Sequence, residues 1–76
     1  MKKINIDELI VREAHIEGGS FLTDNGYVYY GKWYQAYAED NEGEEYMVIW
    51  TDVDWDAEDS GDACDWDNPD YILNNS

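Results

Sequence analysis

Apolar and polar residues along the middle of the chain fall into runs broken by turn chemistry. "FLTDNGYVYY", residues 21–30, places Asn25-Gly26 between apolar stretches, a strong hairpin signal. With those two residues at the centre of a two-residue turn, Asp24 faces Tyr27 and Leu22 faces Tyr29. A second turn, "DNEG" at 40–43, separates "YVYYGKWYQAYAE" from "EEYMVIWTDVDW". A three-residue loop with Gly43 in the left-handed region pairs Asp40 with Glu44. That register sets Tyr37 against Met47, Gln35 against Ile49, Trp33 against Thr51, Gly31 against Val53 and Tyr29 against Trp55. This face is mostly apolar and is the expected core. The opposite face carries Tyr30, Lys32, Tyr34 and Ala36 against Asp54, Asp52, Trp50 and Val48, with Lys32 opposite Asp52. Gly31 marks an expected bulge or bend.

The ends are less regular. "INIDELIVREAHI", residues 4–16, predicts a short helix: Asn5 can cap it, Asp7 and Glu8 suit its first turn, and Gly18-Gly19 would end it. A strand through "LIVREAHI" is the competing reading, because Leu9, Val11, Glu13 and His15 alternate with Ile10, Arg12, Ala14 and Ile16. "TDVDWD" reads as the end of the last strand, with Val53 and Trp55 inward and Asp52, Asp54 and Asp56 outward. Beyond it, Trp66, the Asn68-Pro69 turn signal and Tyr71-Ile72-Leu73 can tether an acidic loop. The expected fold is α+β in a single domain, 1–76. It comprises a helix over 4–16, a three-stranded antiparallel meander over 20–55, and an acidic segment over 56–76 packed back on the sheet.

Composition changes the picture in one respect. The chain is 43% hydrophobic and 16% aromatic, too apolar for a wholly disordered polypeptide, yet its formal net charge is −15. Residues 1–38 hold five acidic and four basic groups, whereas residues 39–76 hold fourteen acidic groups and no basic one. Such a field repels nucleic acid and anionic lipid and attracts basic protein surfaces. No apolar run is long enough to span a bilayer, and the interrupted N-terminal stretch does not read as a signal peptide. The expected location is the cytoplasm.

The chemistry-bearing residues point away from catalysis. His15 is the only histidine and Cys64 the only cysteine. Asp62, Asp65 and Asp67 beside Cys64 oppose thiolate formation. With nineteen acidic residues, carboxylate pairs arise by chance and carry no signal. A calcium loop is the rival reading: Asp56, Glu58, Ser60, Asp62 and Asp67 partly match its ligand positions, with Gly61 at the turn. Cys64 stands at a poor position, however, and a strand rather than a helix precedes the loop. An exposed platform of Tyr30, Tyr34 and Trp50 would suit sugar binding; those rings packed under other elements is the plainer alternative.

Alternate residues of a strand lie about 6.5–7 Å apart on one face. Phosphates along a DNA strand are comparably spaced, each step rising about 3.4 Å while winding around the axis. Asp52, Asp54 and Asp56 have that spacing, and Glu58, Asp59, Asp62, Asp65 and Asp67 extend the row, with Trp50 and Trp66 as candidate anchors. The plain alternative is a solvated acidic face that serves solubility. In size, acidity and "DVDWDAEDSGDACDWDNPD" the chain resembles the small phage-encoded DNA mimics that disable bacterial defence, of the anti-CRISPR and anti-restriction kind. The resemblance lies in charge and size, not in a motif. It implies a stoichiometric, cofactor-free inhibitor in the bacterial cytoplasm that occupies a basic nucleic-acid-binding groove without binding nucleic acid itself. A generic acidic interaction domain is a further alternative.

Overall fold

The computed structural model describes residues 5–23 and 25–74. It is built on an antiparallel sheet of five strands: β1 (Ile10–Val11), β2 (His15–Leu22), β3 (Val28–Glu39), β4 (Glu45–Trp50) and β5 (Tyr71–Asn74). β3 pairs with β4, and β4 with β5, while β1 and β2 both lie along the other side of β3. The expected α+β class is therefore overturned. Among the described residues the only helical pieces are single 3-10 turns, Ile6–Glu8 and Ser60–Asp62. Ile4, the first residue of the expected helix, lies outside the described residues. Asn5 makes no side-chain cap. The competing strand through "LIVREAHI" is formed only in pieces, Ile10–Val11 and the start of β2 at His15, with Val11 paired to Ala38 and Ile16 to Tyr34. Its alternation breaks between them, where Ala14 rather than Glu13 packs on the core with Leu9 and Val11. β3 is twelve residues long, and pairing its free edge outweighs a helix whose apolar face was incomplete.

Both tight hairpin loops share one chemistry. Gly26 and Gly43 each sit at φ 84°, in the left-handed region. The residue before each loop takes the amide four positions on: Thr23 Oγ1 accepts from Tyr27 N–H at 3.0 Å, and Asp40 Oδ1 from Glu44 N–H at 3.0 Å. The 40–43 loop has the expected form, and Tyr37 meets Met47 and Gln35 meets Ile49 as the register required. At the first hairpin the expected two-residue turn is instead a three-residue loop, with Thr23 N–H bonded to Tyr27 O at 2.7 Å. Leu22 thus faces Val28, not Tyr29, a slip of one residue. Asp24, expected opposite Tyr27, lies outside the described residues.

β4 stops pairing with β3 at Trp50. The expected pairs Trp33 to Thr51, Gly31 to Val53, Tyr29 to Trp55 and Lys32 to Asp52 are not formed. Residues 28–33 of β3 pair with β2 but not with β4. They form a two-stranded arm beyond the body of the sheet. Gly19 and Gly31 face each other in that arm, both at positive φ, 116° and 132°. The pairing runs unbroken through Gly31, so the expected bulge is absent and the glycine instead serves its positive φ. A Cβ there would lie in ordinary contact, 3.5 Å, with the Tyr29 hydroxyl.

The main core lies on the face opposite to the expected one. Ala36, Ala38, Val48 and Trp50 form its buried centre, and Ile6, Leu9, Val11, Ala14, Tyr34, Val53, Cys64, Trp66 and Ile72 pack against it. The two alanines leave room for the N-terminal segment and the 51–70 loop to close over the sheet. The expected core face is not bare. Phe21 contacts Tyr29, Trp33 and Tyr71 at ring-centroid distances of 5.3, 4.8 and 5.6 Å, and Ile49 beneath is fully buried. Buried Gln35 is satisfied by the Trp33 indole N–H at 3.1 Å.

Candidate functional site

Residues 51–70 carry nine carboxylates, every one on an exposed residue. They do not continue the last strand. Asp70 Oδ2 accepts from the N–H groups of Thr51 and Asp52, at 2.6 and 3.1 Å, and draws the chain off the sheet. Val53 then turns into the core. Asp54 N–H bonds Ala63 O at 2.6 Å, and Ala57 N–H closes a turn on Asp54 O at 3.2 Å. The straight row of Asp52, Asp54 and Asp56 is therefore replaced by a folded loop.

The loop divides its carboxylates by role. Asp54 Oδ1 accepts from Asp56 N–H at 3.1 Å, Asp59 Oδ1 from Gly61 N–H at 2.9 Å, and Asp65 Oδ1 from Asp67 N–H at 3.3 Å. Asp65 Oδ2 also takes the Asn68 amide at 2.8 Å. These three, with Asp70, satisfy backbone that has no sheet partner. Among the described residues, the side chains of Asp56, Glu58, Asp62 and Asp67 have no hydrogen-bond or ion-pair partner, and all four residues are exposed. The expected contacts therefore separate into supporting residues (Asp54, Asp59, Asp65) and outward ones, with Asp52 beside the Cys64 thiol. Asp70 was missed by the sequence reading.

A row of aromatic rings lies beneath. Trp55 stacks on Tyr34 at 5.3 Å, Tyr34 meets Trp66 edge-on at 5.0 Å, and Trp66 meets Trp50 at 4.9 Å. Trp50 is 3% exposed and donates its indole N–H to Trp66 O at 3.3 Å, while Trp66 donates to Ser60 O at 3.0 Å. Both rings tether the loop instead of presenting free anchors. Trp55, which the sequence reading placed inward, is the ring left 37% exposed, with the Lys32 ammonium 4.8 Å from its centroid. The sugar platform is not assembled: Tyr30 is 75% exposed on the arm, Tyr34 is stacked and Trp50 is buried.

Cys64 lies under the loop in a cleft with Trp50, Asp52, Asp65, Asn68 and Asp70. Burial first, then Asp70, Asp65 and Asp52, push its pKa above the ordinary value. A thiol so placed is a poor nucleophile. The alternative calcium ligands Asp56, Glu58, Ser60, Asp62 and Asp67 are not gathered: among the described residues no three acidic, histidine or cysteine side chains converge on a metal-sized site. Among those residues, no helix is long and apolar enough to cross a membrane. No family model, curated protein or solved structure matches the chain.

Proposed function

We propose that the protein is a stoichiometric acidic inhibitor that occupies the basic nucleic-acid-binding surface of a bacterial defence protein, of the anti-CRISPR or anti-restriction kind, in the host cytoplasm. The observation that carries this reading is the division of labour in the 51–70 loop. One set of carboxylates fixes the backbone, and a second set, Asp56, Glu58, Asp62 and Asp67, is held outward with no internal partner. A mobile tail must lose conformational entropy on binding, whereas a preorganised set of charges loses less. Mutual repulsion of these groups costs stability, which supports a use beyond solubility.

Mimicry here rests on carboxylates presented from an anchored loop backbone, not on a strand-like row of phosphate spacing. The contacts are Asp52, Asp56, Glu58, Asp62 and Asp67, with Trp55 as the exposed ring beside them. Displacement of labelled duplex DNA from restriction enzymes and guide-loaded nucleases tests the proposal. The chain should compete, with affinity falling steeply between low and high salt. Salt-insensitive binding, or binding that leaves DNA in place, overturns it in favour of a generic interaction domain.

A further inference from the structure

The aromatic row has two unlike ends. At one, the chain's own Lys32 lies over Trp55. At the other, Tyr34, Trp50 and Trp66 open into a groove of about 490 Å3, walled by Ile6, Val11 and Ala14 on one side and by Ser60 and Gly61 on the other. The groove is preformed: its loop wall is pinned because Ser60 O accepts from both the Trp66 indole and Ala63 N–H.

The chemistry of the lining selects its occupant. Both indole N–H groups are already spent on carbonyls, so the two indoles offer no N–H donor to an anion. They offer ring faces, which attract a cation. At the rim, Glu13 is exposed and, among the described residues, has no hydrogen-bond or ion-pair partner, whereas Arg12 lies 3.6 Å from Glu39 and is offset by it. Asp59 and Asp62 flank the Ser60–Gly61 wall. The surrounding field is thus negative, complementary to a positive guest. A flat guanidinium can stack on such rings while its edge meets a carboxylate, which a compact ammonium does less well.

We infer that this groove receives a single arginine side chain of the basic partner, the guanidinium lying against the partly exposed Tyr34 and Trp66 rings and facing Glu13. The inference rests on the reading of the partner as a basic surface and names the residue it would insert.

The test is a titration of the isotope-labelled full chain with N-acetylarginine amide, its uncharged isostere N-acetylcitrulline amide, and N-acetyllysine amide, at salt high enough to screen the loop. The arginine derivative should saturably shift the indole N–H signals of Trp50 and Trp66 and the amides of Glu13 and Gly61. Citrulline should leave them in place, and lysine should bind several-fold more weakly. Glu13 is exposed, so its variants should fold: Glu13→Gln should weaken arginine several-fold and Glu13→Lys should abolish the shifts. Equal shifts with citrulline would overturn the preference for a cation, and equal binding of lysine would overturn the assignment to arginine. Shifts confined to the loop aspartates would overturn the site itself. None of these probes involves the partner, so the groove can fail while DNA displacement stands, and the reverse.

Discussion

Asp70 holds Thr51 at 2.6 Å across the whole acidic loop. One carboxylate thus joins the residue that leaves β4 to the residue that enters β5. The same oxygen takes the Asp52 amide at 3.1 Å, so two backbone donors at the root of the loop depend on a single side chain.

Asp70→Ala should therefore destabilise the fold by about 1.5–3 kcal/mol, the range for hydrogen bonds to a charged group. Asp56→Asn combined with Glu58→Gln, Asp62→Asn and Asp67→Asn should do the opposite. At low salt it should melt higher than the parent, and the difference should shrink as salt is added. Thermal melts at two ionic strengths check both.

Alkaline pH should unfold the chain sooner than a neutral-side comparison suggests. Cys64 and Tyr46 both have pKa values raised in the folded state, Cys64 by burial and nearby aspartates, Tyr46 by burial and its bond to Asp40. Groups raised in this way contribute stability in full below their unfolded values, 9.0 and 10.0. That contribution is lost as pH rises through the folded values. Denaturation followed from pH 7 upward should show stability falling from about pH 9. Cys64→Ala should remove the earlier part of the fall and Tyr46→Phe the later part. Alkylation of Cys64 near neutral pH should be slower than that of a free cysteine.

Gly31→Ala should cost about 1–3 kcal/mol, because a φ of 132° suits glycine and strains any residue with a Cβ. The loss should appear first as faster amide exchange in residues 28–33, which pair with β2 alone.

Much of the sheet was legible from the sequence because turn residues fix register locally. Gly43 set the β3–β4 pairing, and Tyr37 opposite Met47 follows from it. The same logic slipped at Asn25-Gly26, where the Thr23 hydroxyl captures Tyr27 N–H and favours a longer loop. The choice of core face failed because covering by a distant loop is not a local property. The alanines at 36 and 38 were its only signal. The alternating aspartates misled for a specific reason. Asp54-x-Asp56, Asp59-x-Gly61 and Asp65-x-Asp67 share the two-residue period of a strand, but an Asx turn has the same period. Turns of that kind shape the loop.

Our main proposal is that the outward carboxylates, presented from an anchored loop backbone, compete with DNA for a basic surface. It is tested most directly by displacement of labelled duplex from a bound defence nuclease, comparing the parent with the Asp56→Asn, Glu58→Gln, Asp62→Asn, Asp67→Asn variant. The account predicts that the parent releases the DNA and that the variant, still folded, does not. Equal release by both would contradict it.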